Sequence, residues 1–271
     1  MHVVSRDGTR IAVFSSGDGP PLVLVHGTTA DHTTWRAAAP MLERSFSVHA
    51  LDRRGRGASG DGPTDAPYSI ELEYDDLVRV ADSVAAIAGA AVDVLGHSYG
   101  GRIGLGAALR TASVARLVVY EGAPSPAGGE GYRPPGVEDR IARLIEAGDR
   151  DAALQTFFRE IVRMPEAELD AYRANPVWPV RVAAVHTSLR EIEAEGSPAA
   201  SLDALGGVSV PVLQVLGGDS AAPFRAATEA LDARLADGRV VVIAGARHAA
   251  HHTHAAELTA AIRSFLSGDT L

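Results

Sequence analysis

The 271-residue chain contains no cysteine and no lysine. The first absence excludes disulfides, thiolate metal sites and a cysteine nucleophile, and leaves the redox compartment open. The second makes arginine the whole basic complement and removes lysine as a catalytic group. No apolar run approaches the roughly 18 residues that span a bilayer. The opening residues, Met1-His2-Val3-Val4-Ser5-Arg6-Asp7-Gly8, carry no charged-then-apolar leader pattern. A soluble, cytoplasmic protein is the expectation, with no membrane partner. Positive charge is scarce as well. A net charge of −9 argues against a nucleic-acid or anionic-membrane surface, because both need a basic face.

What is present fits one large α/β domain or a core domain with an insertion. Strand-like runs at 11–14 and 22–25 read as antiparallel, the first after an Asp7-Gly8 turn and the second after Gly19-Pro20-Pro21. From there strand and helix patterns alternate: strand 47–51, an amphipathic helix 70–88 behind Ser69 as N-cap, strand 92–95, helix 99–110 and strand 116–120. Such alternation implies a mostly parallel sheet covered on both faces, with its binding site at the carboxyl ends of the strands. A Pro- and Gly-rich stretch at 124–135 then interrupts it. A helical stretch over 137–195 follows, divided by Pro165, Pro176 and Pro179. After Gly196-Ser197-Pro198 the strand logic resumes at 212–216 and 240–243, with helices near 224–235 and 254–266. The helical insertion is expected to act as a lid over the strand ends.

Four segments carry chemistry. Gly96-His97-Ser98-Tyr99-Gly100 is a G-x-S-x-G pentapeptide between a strand and a helix. Small flanking residues permit the sharp turn that lifts a serine hydroxyl clear of the sheet. The Tyr99 amide falls in the first turn of the helix, where N–H groups lack intrahelical partners and favour negative charge. The strand 22–25 ends in His26-Gly27-Thr28, where the Thr28 amide is the natural second oxyanion donor. His26 reads as a structural histidine bonding loop backbone. Leu216-Gly217-Gly218-Asp219 presents a carboxylate just past a strand, and Ala244-Gly245-Ala246-Arg247-His248 places a histidine past the last one. The order Ser98, Asp219, His248 is the order of a serine triad on this topology. Glu121, directly after strand 116–120, is an alternative acid. His251, His252 and His254 follow His248 and read as a polar helix start rather than a metal site.

On these residues, and on the loop Leu51-Asp52-Arg53-Arg54-Gly55-Arg56-Gly57-Ala58-Ser59, which is similar to a D-x-R-G-x-G-x-S segment, the chain resembles the α/β-hydrolase superfamily over nearly its whole length. The resemblance implies an eight-stranded, mostly parallel sheet with helices on both faces. It implies a core of residues 1–123 and 206–271, and a helical cap at 124–205. It further implies Thr28 and Tyr99 as oxyanion donors, and neither metal nor organic cofactor. Ser98 in the nucleophile position argues against branches that need a carboxylate there. The expected activity is hydrolysis of a small to medium carboxylic ester or lactone through an acyl-enzyme. Carbon–carbon hydrolysis on the same triad, or a non-hydrolytic receptor or cyclase on the same fold, are the alternatives. Phe157, Phe158, Met164, Tyr172, Val177 and Trp178 either line the pocket or form the cap's own core. Trp35 either packs beneath the oxyanion loop or borders the pocket.

Overall fold

In a computed structural model, which describes residues 1–63, 67–126 and 133–268, eight strands form one sheet. They are β1 (His2–Val4), β2 (Arg10–Ser16), β3 (Pro21–Val25), β4 (Ser47–Leu51), β5 (Val92–His97), β6 (Val114–Tyr120), β7 (Val212–Gly217) and β8 (Gly238–Ile243), ordered β1-β2-β4-β3-β5-β6-β7-β8. From β4 to β8 every neighbouring pair is parallel, whereas β1 and β2 add antiparallel strands at one edge. The expectation that 11–14 and 22–25 pair as antiparallel strands is corrected here. β4 lies between them, and β3 takes parallel partners on both sides.

Side chains alternate across this sheet with period two. Val23, Val25, Leu117 and Val119 join one apolar cluster, and Leu22, Leu24, Val118 and Tyr120 join another. Each central strand therefore feeds two buried layers, which is why it reads as an unbroken apolar run. Helices α2 (Ile70–Ala88), α3 (Tyr99–Ala108), α9 (Leu202–Leu205) and α10 (Ala222–Asp232) cover the first layer. Helices α1 (Ala39–Leu42), α11 (Ala250–Thr253) and α12 (Ala255–Ser267) cover the second. Helix α2 starts at an extended Ser69, carries Glu71 and Glu73 in its first turn and ends at a left-handed Gly89. The Ser69 hydroxyl makes no capping bond, so the acidic first turn rather than a side-chain cap favours that end.

Between β6 and β7 run α4 (Val137–Glu146), α5 (Arg150–Thr156), a π turn (Phe157–Ile161), α6 (Glu166–Arg173), α7 (Trp178–Ala184), α8 (Thr187–Ala194), a 3-10 turn (Pro198–Ala200) and α9. The prolines punctuate this segment: Pro165 stands at the N-cap of α6 and Pro179 in the first turn of α7. Of the Pro- and Gly-rich stretch, residues 127–132 lie outside the described ones. The helices share a third apolar cluster, including Leu154, Phe157, Phe158, Leu169, Tyr172 and Trp178, which also takes in Ala249 from beyond β8. Buried charge holds them to the sheet as well. Arg53 bonds Glu73 at 2.6 Å and Glu191 of α8 at 2.5 Å, and Arg56 reaches the same Glu191 oxygen. Burial alone raises the Glu73 carboxyl, but Arg53, with help from Arg56 and Tyr68, overrides it and holds the group at about 2. Among the described residues no helix is long and apolar enough to cross a membrane.

Candidate active site

Ser98 joins β5 to α3 with φ 54° and ψ −124°, a backbone conformation that costs a non-glycine residue on the order of 1–3 kcal/mol. The surrounding glycines make it possible. A Cβ at Gly96 would lie 2.4 Å from the Gly100 carbonyl oxygen, and one at Gly100 would lie 2.3 Å from that of Val25. The parallel register sets what stands beside the serine. Val25 pairs with Gly96 and His97 with Tyr120, so the loops after β3, β5 and β6 leave the sheet side by side. They deliver Thr28, Ser98 and Glu121. A Cβ at Gly27 would touch the Ser98 Cβ at 3.0 Å, a measure of how closely the β3 loop approaches that serine.

His248, in the loop after β8, lies within 2.8 Å of Glu121 through its Nδ1 and the carboxylate Oε2. A carboxylate only accepts, so Nδ1 carries the proton and Nε2 is left bare to take one. Glu121 is itself constrained, at φ 44°, with its amide bonded to Val215 O at 3.1 Å. Its second oxygen accepts the Gly217 amide at 2.8 Å and the Ser220 hydroxyl. Tyr120, one residue earlier, grips the same loop: its hydroxyl donates to Arg247 O and accepts the Ala250 amide at 2.7 Å. The His97 ring stacks on Tyr120 at 4.8 Å and donates through Nε2 to His248 O at 2.9 Å. Ser98, His248 and Thr28 line one narrow cavity with Phe157, Phe158, Met164, Tyr172 and Arg181. Its empty space is about 330 Å³, counting the part open to solvent.

The expectation of Asp219 beside His248 is corrected by this geometry. The turn after β7 aims the Gly217 amide and the Ser220 hydroxyl at Glu121, while Asp219 is exposed and engages through its backbone. Its amide bonds Ala246 O at 3.0 Å and its carbonyl accepts from Arg247. The pairing of β6 directly with β5 sets the residue after Tyr120 alongside Ser98, a neighbourhood that the sequence alone does not display.

Residues 22–262 match the sequence profile described as the alpha/beta hydrolase family. The chain belongs to that family. A pimeloyl-[acyl-carrier protein] methyl ester esterase from Neisseria meningitidis serogroup A is 30% identical over 258 residues, covering 90% of this chain and 76% of that protein. A 2-hydroxymuconate semialdehyde hydrolase from Pseudomonas is 34% identical over 155 residues, 53% of each chain. The crystal structure of an alpha/beta hydrolase from Sphaerobacter thermophilus superimposes with a TM-score of 0.81 at 32% identity, covering 96% of this chain and 99% of that one.

In this alpha/beta hydrolase, His26 is fully buried and accepts the Arg53 amide at 3.0 Å on Nε2. Nδ1 is then the protonated nitrogen, donating to Gly27 O at 2.8 Å. That is a structural role in shaping the loop. Of the histidines after His248, His254 stands at the N-cap of α12, whereas His251 departs from the expectation of a polar helix start. His251 is buried, its ring 4.4 Å from that of His97 and its Nε2 3.2 Å from the Thr34 hydroxyl. Burial first, then neighbouring cations and histidines, pushes His97 and His251 well below the ordinary imidazole value. Burial followed by Arg181 and Arg36 takes His252 down to about 3. They are neutral packing groups near neutrality. Of the six aromatic and apolar residues of the insertion, Phe157, Phe158, Met164 and Tyr172 line the cavity, whereas Val177 and Trp178 serve the insertion's own core. Trp35 is buried under the site, 6.4 Å from the His97 ring. Asp31, His32 and Asp52 bring three ligand-type atoms within 4.8 Å of one another. These are spent internally: Asp52 accepts the His32 amide, His32 Nδ1 and the Ala58 amide, and Asp31 caps the turn at Thr33. Arg181 had no signature in the sequence, since only tertiary packing brings α7 over Ser98.

Proposed function

We propose that this hydrolase cleaves a small to medium carboxylic ester or lactone through an acyl-enzyme on Ser98, with His248 as base and Glu121 as the acid that orients it. The observation that carries the reading is the 2.8 Å bond from His248 to a buried carboxylate, in a cavity shared with a serine held at φ 54°. Ser98 Oγ attacks the acyl carbon as its proton passes to His248 Nε2. The tetrahedral oxyanion takes the amides of Thr28 and Tyr99, and losing one such donor typically costs about 2.7–4 kcal/mol. The imidazolium, stabilised by Glu121, protonates the departing alkoxide. Water then attacks the acyl-enzyme with His248 again as base, releasing the acid and restoring Ser98. Helices α4 to α8 act as a cap, and the confined cavity selects short acyl chains. The 30%-identical methyl ester esterase supports the ester assignment.

Turnover of p-nitrophenyl esters from C2 to C12 by wild type and Ser98→Ala tests this. Activity at short chain lengths that disappears with Ser98 is expected. Labelling of Ser98 by a fluorophosphonate without turnover would narrow the substrate. Neither turnover nor labelling would overturn the reading in favour of a receptor or cyclase.

A further inference from the structure

Five arginines are buried in the described structure: Arg53, Arg54, Arg56, Arg102 and Arg181. Four of them pair with carboxylates: Arg53 with Glu73 and Glu191, Arg54 with Asp76, Arg56 with Glu191 and Arg102 with Glu195. Arg181, 4% exposed on α7, meets only neutral acceptors. Its terminal nitrogens donate to Thr28 O at 3.0 Å, Thr29 Oγ1 at 3.2 Å and Thr34 Oγ1 at 3.1 Å, and its Nε has no partner among the described residues. The rings of Phe158 and Tyr172 lie 5.5 and 5.6 Å from the guanidinium carbon. A guanidinium withdrawn from water without a counter-charge is costly, and this chain avoids that cost at its other buried arginines.

The place where the charge is left open is the cavity of Ser98 and His248, and none of the residues lining it is acidic. Glu121 is committed behind His248, its side chain wholly covered. Histidines beside Arg181 do not compete for an anion, since burial and its own field keep His97, His251 and His252 neutral. We infer that Arg181 is an anion-recognition residue, and that the substrates of this site are small esters or lactones that carry a carboxylate. This rests on the hydrolase assignment above and names its substrate class. The carboxylate completes the guanidinium's ion pair and seats the scissile carbonyl by the Thr28 loop, to which Arg181 is already bonded.

The competing explanation is a plain tether between α7 and the oxyanion loop. A tether affects charged and neutral substrates alike, so the discriminating quantity is a ratio. Two pairs of matched esters are compared by kcat/KM: p-nitrophenyl hemiglutarate against p-nitrophenyl valerate, and 4-acetoxybenzoate against phenyl acetate. The first pair puts the carboxylate on the acyl side and the second on the leaving group. In at least one pair wild type is expected to prefer the charged member about tenfold or more, mainly through KM. Arg181→Met brings that ratio to near one, and Arg181→Lys retains part of it. A wild-type ratio at or below one in both pairs, or a ratio unchanged in Arg181→Met, overturns the proposal. Calorimetric binding of glutarate against neutral glutaramide to the Ser98→Ala protein gives a readout independent of turnover and of the folding of any Arg181 variant. Selective binding of glutarate is expected, and equal or absent binding of both overturns the inference. Glutarate binding with neither ester turnover nor fluorophosphonate labelling of wild type would leave anion recognition standing and sink the hydrolase reading instead.

Discussion

Glu121 divides its carboxylate between a histidine and a strand end: one oxygen faces His248, and the other holds the Gly217 amide and the Ser220 hydroxyl. Replacing it with an amide keeps the shape but lets Nδ1 of His248 lose its proton, so that Nε2 can no longer act as base. For Glu121→Gln, kcat on a p-nitrophenyl ester is expected to fall by roughly 10³–10⁴, the scale of the equivalent change in serine proteases. Asp219→Asn should stay within about threefold, because that side chain makes no bond among the described residues. Comparable losses in both variants would contradict the assignment of the acid. Ser98 and His248 were legible as candidates because each sits in a local pattern, a glycine-flanked turn and a histidine just past a strand. The choice of acid was not, because both carboxylates follow strands and only the width of the turn after β7 decides which one faces inward. Arg181 and His251 lay further out of reach, as their roles come from contacts with residues 147 and 217 positions away.

At the scale of elements, the elbow works because α3 packs on the end of β3. Gly100→Ala puts a methyl within 2.3 Å of the Val25 carbonyl oxygen, a backbone atom with nowhere to go. A destabilisation of about 3 kcal/mol, at the upper end for overpacking, is expected in urea unfolding, with slower fluorophosphonate labelling of Ser98. The hold of the helical insertion on the sheet is electrostatic in part. Glu191→Gln leaves Arg56 without its close partner and should cost about 3–5 kcal/mol, whereas Glu191→Gln with Arg56→Gln should cost less. An additive double variant would show that the pair is not coupled. Most strands and helices were readable from periodicity, including the span of α2. The pairing of β2 with β4 was not, because a strand's neighbours depend on crossovers that local sequence does not encode.

At the scale of the whole molecule, the interior histidines make stability depend on pH. His26, His97 and His251 are fully buried and held well below the ordinary 6.5, chiefly by burial. As pH falls through 6.5 the unfolded chain takes up protons that the folded chain refuses, so stability is lost on the acid side. The three act in the same direction, so stability is expected to be lower at pH 5.5 than at pH 7.5. Burial opposes protonation of His32, but its bond to Asp52 and the Asp52 charge raise it, so it contributes stability that is fully present below 6.5 and is lost as pH rises through the upper half of this window, where it partly offsets the trend of the other three. Urea midpoints at the two pH values check the sign, and equal midpoints would contradict it. The same global view gives the position of Glu121 a mechanical meaning. It is the first residue past β6, and the chain leaves for the helical insertion immediately after it. Val215, Gly217 and Ser220 fasten it to the strand and turn on its other side, so the carboxylate that faces His248 is borne by the sheet and not by the helices that follow it in the chain.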